Sequence, residues 1–113
     1  MYRFHVADDH PLFRNALLEV IKQNYPDSVV SQSMDLDGTI RDLEHNNETD
    51  LLLLDLHMPG SQDLFGLITV REKFADIPVA IISADEVEYI IGDSGLNPPI
   101  LTVCGIDRVK CVI

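Results

Sequence analysis

Asp8, Asp9, Asp55 and Ser83 are the residues whose types and positions could do chemistry. Each stands at the end of a strand-like run: the alternating Tyr2 to Ala7 leads into Asp8-Asp9, and the apolar Leu51 to Leu54 and Val79 to Ile82 lead into Asp55 and Ser83. Carboxylates brought together raise one another's pKa values and cost stability. A divalent cation removes that cost. Mg2+ is satisfied by one or two carboxylates, a backbone carbonyl and several waters. A cation beside Asp55 also neutralises an incoming phosphoryl group, and a carboxylate so placed can form an aspartyl phosphate as a nucleophile. Ser83 would donate a hydrogen bond to a phosphoryl oxygen. Taken singly, these residues have blander uses. An aspartate after a strand is a common turn residue. Asp8 or Asp9 can cap the helix that Pro11 starts, and Ser83 can cap the next one. The joint pattern is harder to obtain in those ways. His10 and His57 read as turn and loop residues, and a zinc site wants closer His and Cys spacing than this chain has.

The elements that must position these groups are readable from periodicity. Leu51 to Leu54, closed off by Met58-Pro59-Gly60, reads as a strand buried on both faces in the middle of a parallel sheet. Its final aspartate lies at the sheet's carboxyl edge, where open α/β folds bind ligands. Tyr2 to Ala7 alternates as a strand. Pro11 starts a helix with Leu12, Phe13, Ala16, Leu17, Val20 and Ile21 inward, and Tyr25-Pro26-Asp27 stops it. Val29 to Ser31 is a weak second strand. Asp35 or Asp37 caps a second helix with Leu36, Ile40 and Leu43 inward, although Gly38 in its first turn counts against it. A third helix starts near Asp63, with Leu64, Leu67, Ile68 and Phe74 inward. Val79 to Ile82 is a second wholly apolar strand. Asp85 and Glu88 form a capping box for a short fourth helix, and Ile100 to Cys104 is a fifth strand. Strands alternating with helices give an α/β fold with a parallel sheet and right-handed crossovers. All strand ends then share one edge, which gathers the four residues.

Length and charge narrow the function. The chain has 113 residues, enough for one domain, with 46% hydrophobic and 24% charged residues. Its net charge of −11 argues against binding nucleic acid or an anionic membrane. The two cysteines, Cys104 and Cys111, form neither a disulfide framework nor a zinc set. No apolar run approaches the roughly 20 residues that span a bilayer. Arg3, His5, Asp8 and Asp9 interrupt any signal-peptide pattern, so a cytoplasmic location is expected.

Three segments together resemble a known family. Ala7-Asp8-Asp9-His10-Pro11-Leu12-Phe13-Arg14, Leu52-Leu53-Leu54-Asp55-Leu56-His57-Met58-Pro59-Gly60 and Pro78-Val79-Ala80-Ile81-Ile82-Ser83-Ala84 look like the receiver domain of bacterial two-component response regulators. The first is similar to the LuxR/NarL-type branch. The resemblance covers residues 1 to about 88. It implies a flavodoxin-like (CheY-like), doubly wound, five-stranded sheet in the order 2-1-3-4-5. It implies Asp55 as phosphoacceptor, a sensor histidine kinase as partner and Mg2+ as cofactor. Asp9 would ligate the metal directly, Asp8 through water, and His57 through its carbonyl. Ser83 would be the hydroxyl that moves towards the phosphoryl group.

The final third departs from the family's pattern. The family carries an aromatic switch residue in strand five and a phosphoryl-contacting lysine at its end. Counting on from Ser83, Thr102 falls near the first position and Gly105 near the second, while Lys110 is the nearest lysine. The amphipathic last helix is missing or altered, so residues 89–113 read as the atypical end of a single domain. An uncovered sheet face around strands one and five would recruit a partner, so a homodimer through the carboxyl-terminal third is expected. The leading function is a phosphoacceptor signalling domain that controls an output partner in transcription, not a turnover enzyme. The alternative is a receiver-like interaction module that no longer switches. A hydrolase is disfavoured, because an aspartate-nucleophile phosphatase would carry a second acid where His57 stands. A nucleotide binder would need a glycine-rich loop where Asp8-Asp9-His10-Pro11 stands.

Overall fold

Leu51 to Asp55 form the central strand of the computed structural model, which describes residues 1–60, 65–83 and 100–104, with residues 83 and 100–104 described by their backbone alone. The element order is β1 (Arg3–Ala7), α1 (Pro11–Asn24), β2 (Val29–Ser33), α2 (Leu36–His45), β3 (Leu51–Asp55), α3 (Phe65–Lys73), β4 (Val79–Ser83) and β5 (Ile100–Cys104). All four pairings are parallel, and the strand order is β2-β1-β3-β4-β5. This is the doubly wound, CheY-like architecture that the alternating pattern implied.

The four leucines of β3 divide between the two faces because side chains alternate along a strand. Leu52 and Leu54 are fully buried with Ala7, Leu36, Leu43, Leu67, Val70, Val79 and Ile81, under α2 and α3. Leu51 and Leu53 lie on the opposite face, half-buried against Phe4, Val6 and the α1 residues Leu17, Leu18 and Ile21. Each fully buried leucine contributes about 2 kcal/mol of apolar transfer, so the run that looked organising does organise the core.

Register places the carboxyl ends. Ala7 pairs with Leu54 and with Ser33, so Asp8 and Asp55 leave the sheet side by side. Asp55 pairs with Ile82, one residue before the end of β4. The amide of Asp8 still donates to the carbonyl of Ser33 at 3.1 Å.

The helix phases need correction. Leu12 and Val20 are 87% and 53% exposed, and Ala16 is also exposed. The buried face of α1 is Leu17, Leu18 and Ile21, with Phe13 half-buried. This helix has apolar residues on two stripes, and spacing alone does not rank them. In α3, Ile68 is 53% exposed while Leu67 and Val70 are buried and Phe74 packs beside them. Asp35, not Asp37, caps α2 by accepting from the amide of Gly38 at 2.7 Å. A Cβ at position 38 would sit 2.9 Å from that same carboxylate oxygen, so the glycine makes room for the cap. The expected helix start at Asp63, Leu64, the Asp85–Glu88 capping box, Lys110 and the altered last helix lie outside the described residues. Thr102 pairs with Ile81 within β5. Among the described residues no helix is long and apolar enough to cross a membrane.

Candidate functional site

Asp55 ends β3 and is 5% exposed. One oxygen, Oδ1, accepts from the amide of His57 at 3.0 Å in the turn that follows. The other, Oδ2, is buried without a hydrogen-bond partner among the described residues. The turn itself is fixed. Leu56 and Met58 plug into the core, and the Pro59 carbonyl accepts from the amide of Leu36 at 3.1 Å. Gly60 adopts a φ of 85°, a left-handed conformation that suits glycine, and a Cβ there would press on Leu36 Cβ at 3.2 Å.

Asp8 and Asp9 arrive from the end of β1. Asp8 is 1% exposed, and its Oδ1 accepts from the amide of His10 at 2.9 Å. Asp9 is partly open, but its Oδ1, close to the His10 ring, is buried without a hydrogen-bond partner among the described residues. Among the described residues no side chain caps α1, whose N-cap is His10, so the acid pair does not cap it. Arg14 reaches towards the loop but spends its donors elsewhere. Its Nη1 donates to the Asp8 carbonyl at 2.9 Å and its Nε to Gln32 Oε1 at 2.8 Å.

The electrostatics follow from this crowding. Burial pushes the Asp55 carboxyl up to about 6 from an ordinary 3.8, and the nearby Asp8 and Asp9 charges add to the rise. The His57 amide opposes them. The imidazole of His10 is raised, first by its hydrogen bond to Asp8 and then by the charge of Asp9. Two buried, unpaired carboxylate oxygens are rare in a folded protein. They are hard donors at the same edge, so the residues fit a divalent cation.

Of the residues singled out in the sequence, Asp8, Asp9 and Asp55 come together. Ser83 closes β4 next to that edge, but its side chain lies outside the described part. His57 contributes its amide to Asp55, and its side chain is exposed. His10 was missed. It reads as a turn residue, yet its Nδ1 lies 3.0 Å from Asp9 Oδ1 and 3.1 Å from Asp8 Oδ1. Its adjacency to the acid pair was the available signal.

The family model for the response regulator receiver domain matches residues 4–93. This chain belongs to that family. Among curated relatives, the receiver domain is 43% identical over 91 residues to the glycerol metabolism activator of Pseudomonas putida, covering 80% of this chain and 41% of that protein. It is 32% identical over 83 residues to the nitrate/nitrite response regulator NarL of Escherichia coli, covering 74% and 38%. The chain thus spans about two-fifths of the length of these relatives. They place the receiver domain with NarL-type regulators, in the two-component signal-transduction class. Among solved structures, it superposes with a TM-score of 0.66 on the response regulator TrrA of Thermotoga maritima in complex with Mg(2+)-BeF, at 24% identity, covering 76% of this chain and 72% of that one. TrrA is also solved in complex with the histidine kinase ThkA, with a TM-score of 0.68 to this chain at 24% identity, covering 79% and 74%. Likeness at that identity is likeness of fold.

Proposed function

We propose that Asp55 is the phosphoacceptor of this receiver domain and takes a phosphoryl group from a sensor histidine kinase, to control an output partner in transcription in the cytoplasm. The observation that carries this reading is Asp55 Oδ2, a buried carboxylate oxygen with no hydrogen-bond partner beside two further acids. A phosphoryl group attached there would satisfy the atom that the fold leaves unpaired. Asp55 attacks phosphorus, the P–N bond to the kinase's phosphohistidine breaks, and its electron pair leaves with the imidazole. The product is an acyl phosphate that water later hydrolyses.

Asp8, Asp9, Asp55 and the carbonyl of His57 would hold Mg2+, which supplies the positive charge that phosphoryl transfer demands. The chain's own contribution is positioning. The His57 amide fixes Asp55 Oδ1, which holds the carboxylate in place for attack. Ser83, at the end of the neighbouring strand, would donate to a phosphoryl oxygen and carry the switch. The part is self-catalysed phosphotransfer and dephosphorylation, without turnover of an external substrate.

Incubation with acetyl phosphate and Mg2+, read by intact mass, tests the reading. Wild type should gain a phosphate adduct and Asp55→Asn should gain none. A wild type that stays unmodified would mark the domain as an interaction module that no longer accepts phosphate.

A further inference from the structure

His10 is the one member of the cluster that phosphoryl transfer does not use. Its ring turns back over the acid pair, and Nδ1 lies 3.0 Å from Asp9 Oδ1, 3.1 Å from Asp8 Oδ1 and 3.6 Å from Asp55 Oδ2. Two ligands at right angles on one octahedral ion, each about 2.1 Å away, are about 3.0 Å apart. On a tetrahedral ion the separation is about 3.4 Å. Nδ1 therefore stands at ligand-to-ligand distance from two carboxylates and slightly beyond it from the third. One donor atom from each of Asp8, Asp9, His10 and Asp55 lies within 4.8 Å of the others. A second observation points to the same place. The Asp55 side chain is 7% exposed, and its Oδ2 faces this set of donors without a hydrogen-bond partner.

We propose that His10 Nδ1 is a direct ligand of the cation held here, and that it tilts the site from Mg2+ towards a first-row transition ion such as Mn2+. The inference rests on reading the cluster as a cation site. Mg2+ is a hard ion that takes oxygen donors and keeps its waters, so it gains little from an imidazole. Transition ions accept imidazole nitrogen readily, and a mixed set of carboxylates and one nitrogen suits them. A phenyl or aliphatic side chain at position 10 would leave an all-oxygen site with the opposite preference. The competing account is an imidazolium that only pairs with the acids. Its removal would strengthen the binding of every cation alike.

The two accounts separate in the full chain with Mn2+ and Mg2+ as probes. Mn2+ binding is read by electron paramagnetic resonance, and Mg2+ by competition against it. The His10 side chain is 66% exposed, so His10→Ala opens no core cavity. Wild type should show nitrogen hyperfine coupling to bound Mn2+ in pulsed resonance. His10→Ala should lose that coupling and weaken Mn2+ about tenfold, the lower end of what losing a group around a metal costs, while Mg2+ changes less than about twofold. Absence of nitrogen coupling in wild type overturns the proposal, as does tighter binding of both ions by His10→Ala. If Asp9→Asn abolishes Mg2+ binding while His10→Ala leaves the Mn2+ to Mg2+ ratio unchanged, the cation site stands without His10. Saturable binding of neither ion to wild type overturns both readings.

Discussion

Strand β1 carries two buried polar clusters three residues apart, and they are built on opposite terms. The first centres on His5, which is 1% exposed. Its Nε2 is 2.8 Å from Ser33 Oγ and its Nδ1 is 2.7 Å from Ser31 Oγ. Ser33 Oγ is 2.6 Å from Thr39 Oγ1, and Thr39 donates to the Asp35 carbonyl at 2.8 Å. A hydroxyl has one proton to give, so the direction of the whole chain is set from its end. Thr39 gives to Asp35, Ser33 gives to Thr39, and His5 Nε2–H gives to Ser33, while Nδ1 accepts from Ser31 when the ring is neutral. Burial lowers the pKa of this imidazole, which favours the neutral ring. The second cluster, at Asp8, Asp9 and Asp55, leaves two buried oxygens without hydrogen-bond partners. The first cluster closes on itself and ties β1 to β2 and α2. The second holds a demand for hydrogen bonds that the described residues do not meet.

The sharpest way to break this comparison is to open the closed cluster. His5→Ala removes the ring and leaves the Ser31 and Ser33 hydroxyls short of partners inside the core. Loss of buried hydrogen bonds together with a cavity should cost about 3 kcal/mol in urea unfolding. A loss under about 1 kcal/mol would show that the network contributes little.

Relieving the open cluster should do the reverse. A carboxyl raised from 3.8 to about 6 by folding contributes its stability in full below the lower value and loses it as pH rises through the higher one. At pH 7.5 the ionised Asp55 is therefore a burden on the metal-free fold. Asp55→Asn should stabilise that fold by about 2 kcal/mol: at about 1.4 kcal/mol per tenfold change in proton affinity the rise is worth about 3 kcal/mol, and solvent screening reduces it. The gain should vanish in unfolding measurements below about pH 4, where the unfolded carboxyl is also protonated.

The smallest effect is the acid response of His5. Burial lowers its pKa below 6.5, with the Asp42 charge acting in the opposite direction. The unfolded chain then binds the proton more readily than the folded one, so stability is full above about 6.5 and falls as pH drops towards the folded value. Unfolding midpoints from pH 7 down to pH 5 should decline in wild type and decline less in His5→Gln. Equal slopes would assign the decline to other groups.

The closed cluster was not legible in the sequence, whereas much of the open one was. Asp8, Asp9 and Asp55 follow apolar runs, and alternating strands and helices force such ends to one edge. His5, by contrast, read only as the polar partner of an alternating strand. Its burial depends on Ser31, Ser33 and Thr39, which come near it only through the β1–β2 register and the packing of α2. The strands were readable almost to the residue because an apolar run of four or five has few other uses. The face of α1 was not, since Leu12, Ala16 and Val20 keep as good a helical spacing as Leu17 and Ile21. His10 escaped for a local reason. A ring at a turn can point several ways, and only the placed carboxylates choose among them.

The short segment Ser33 to Leu36 holds both acid-bearing connections at once. The Ser33 carbonyl holds the amide of Asp8, and the Leu36 amide holds the turn after Asp55 through Pro59. Met34 lies between them and is 60% exposed. Its methyl group, enriched in carbon-13, is an NMR reporter joined by one or two residues to each half of the site. A single resonance can therefore record arrivals at Asp8 and at Asp55 without any change to the residues that receive them.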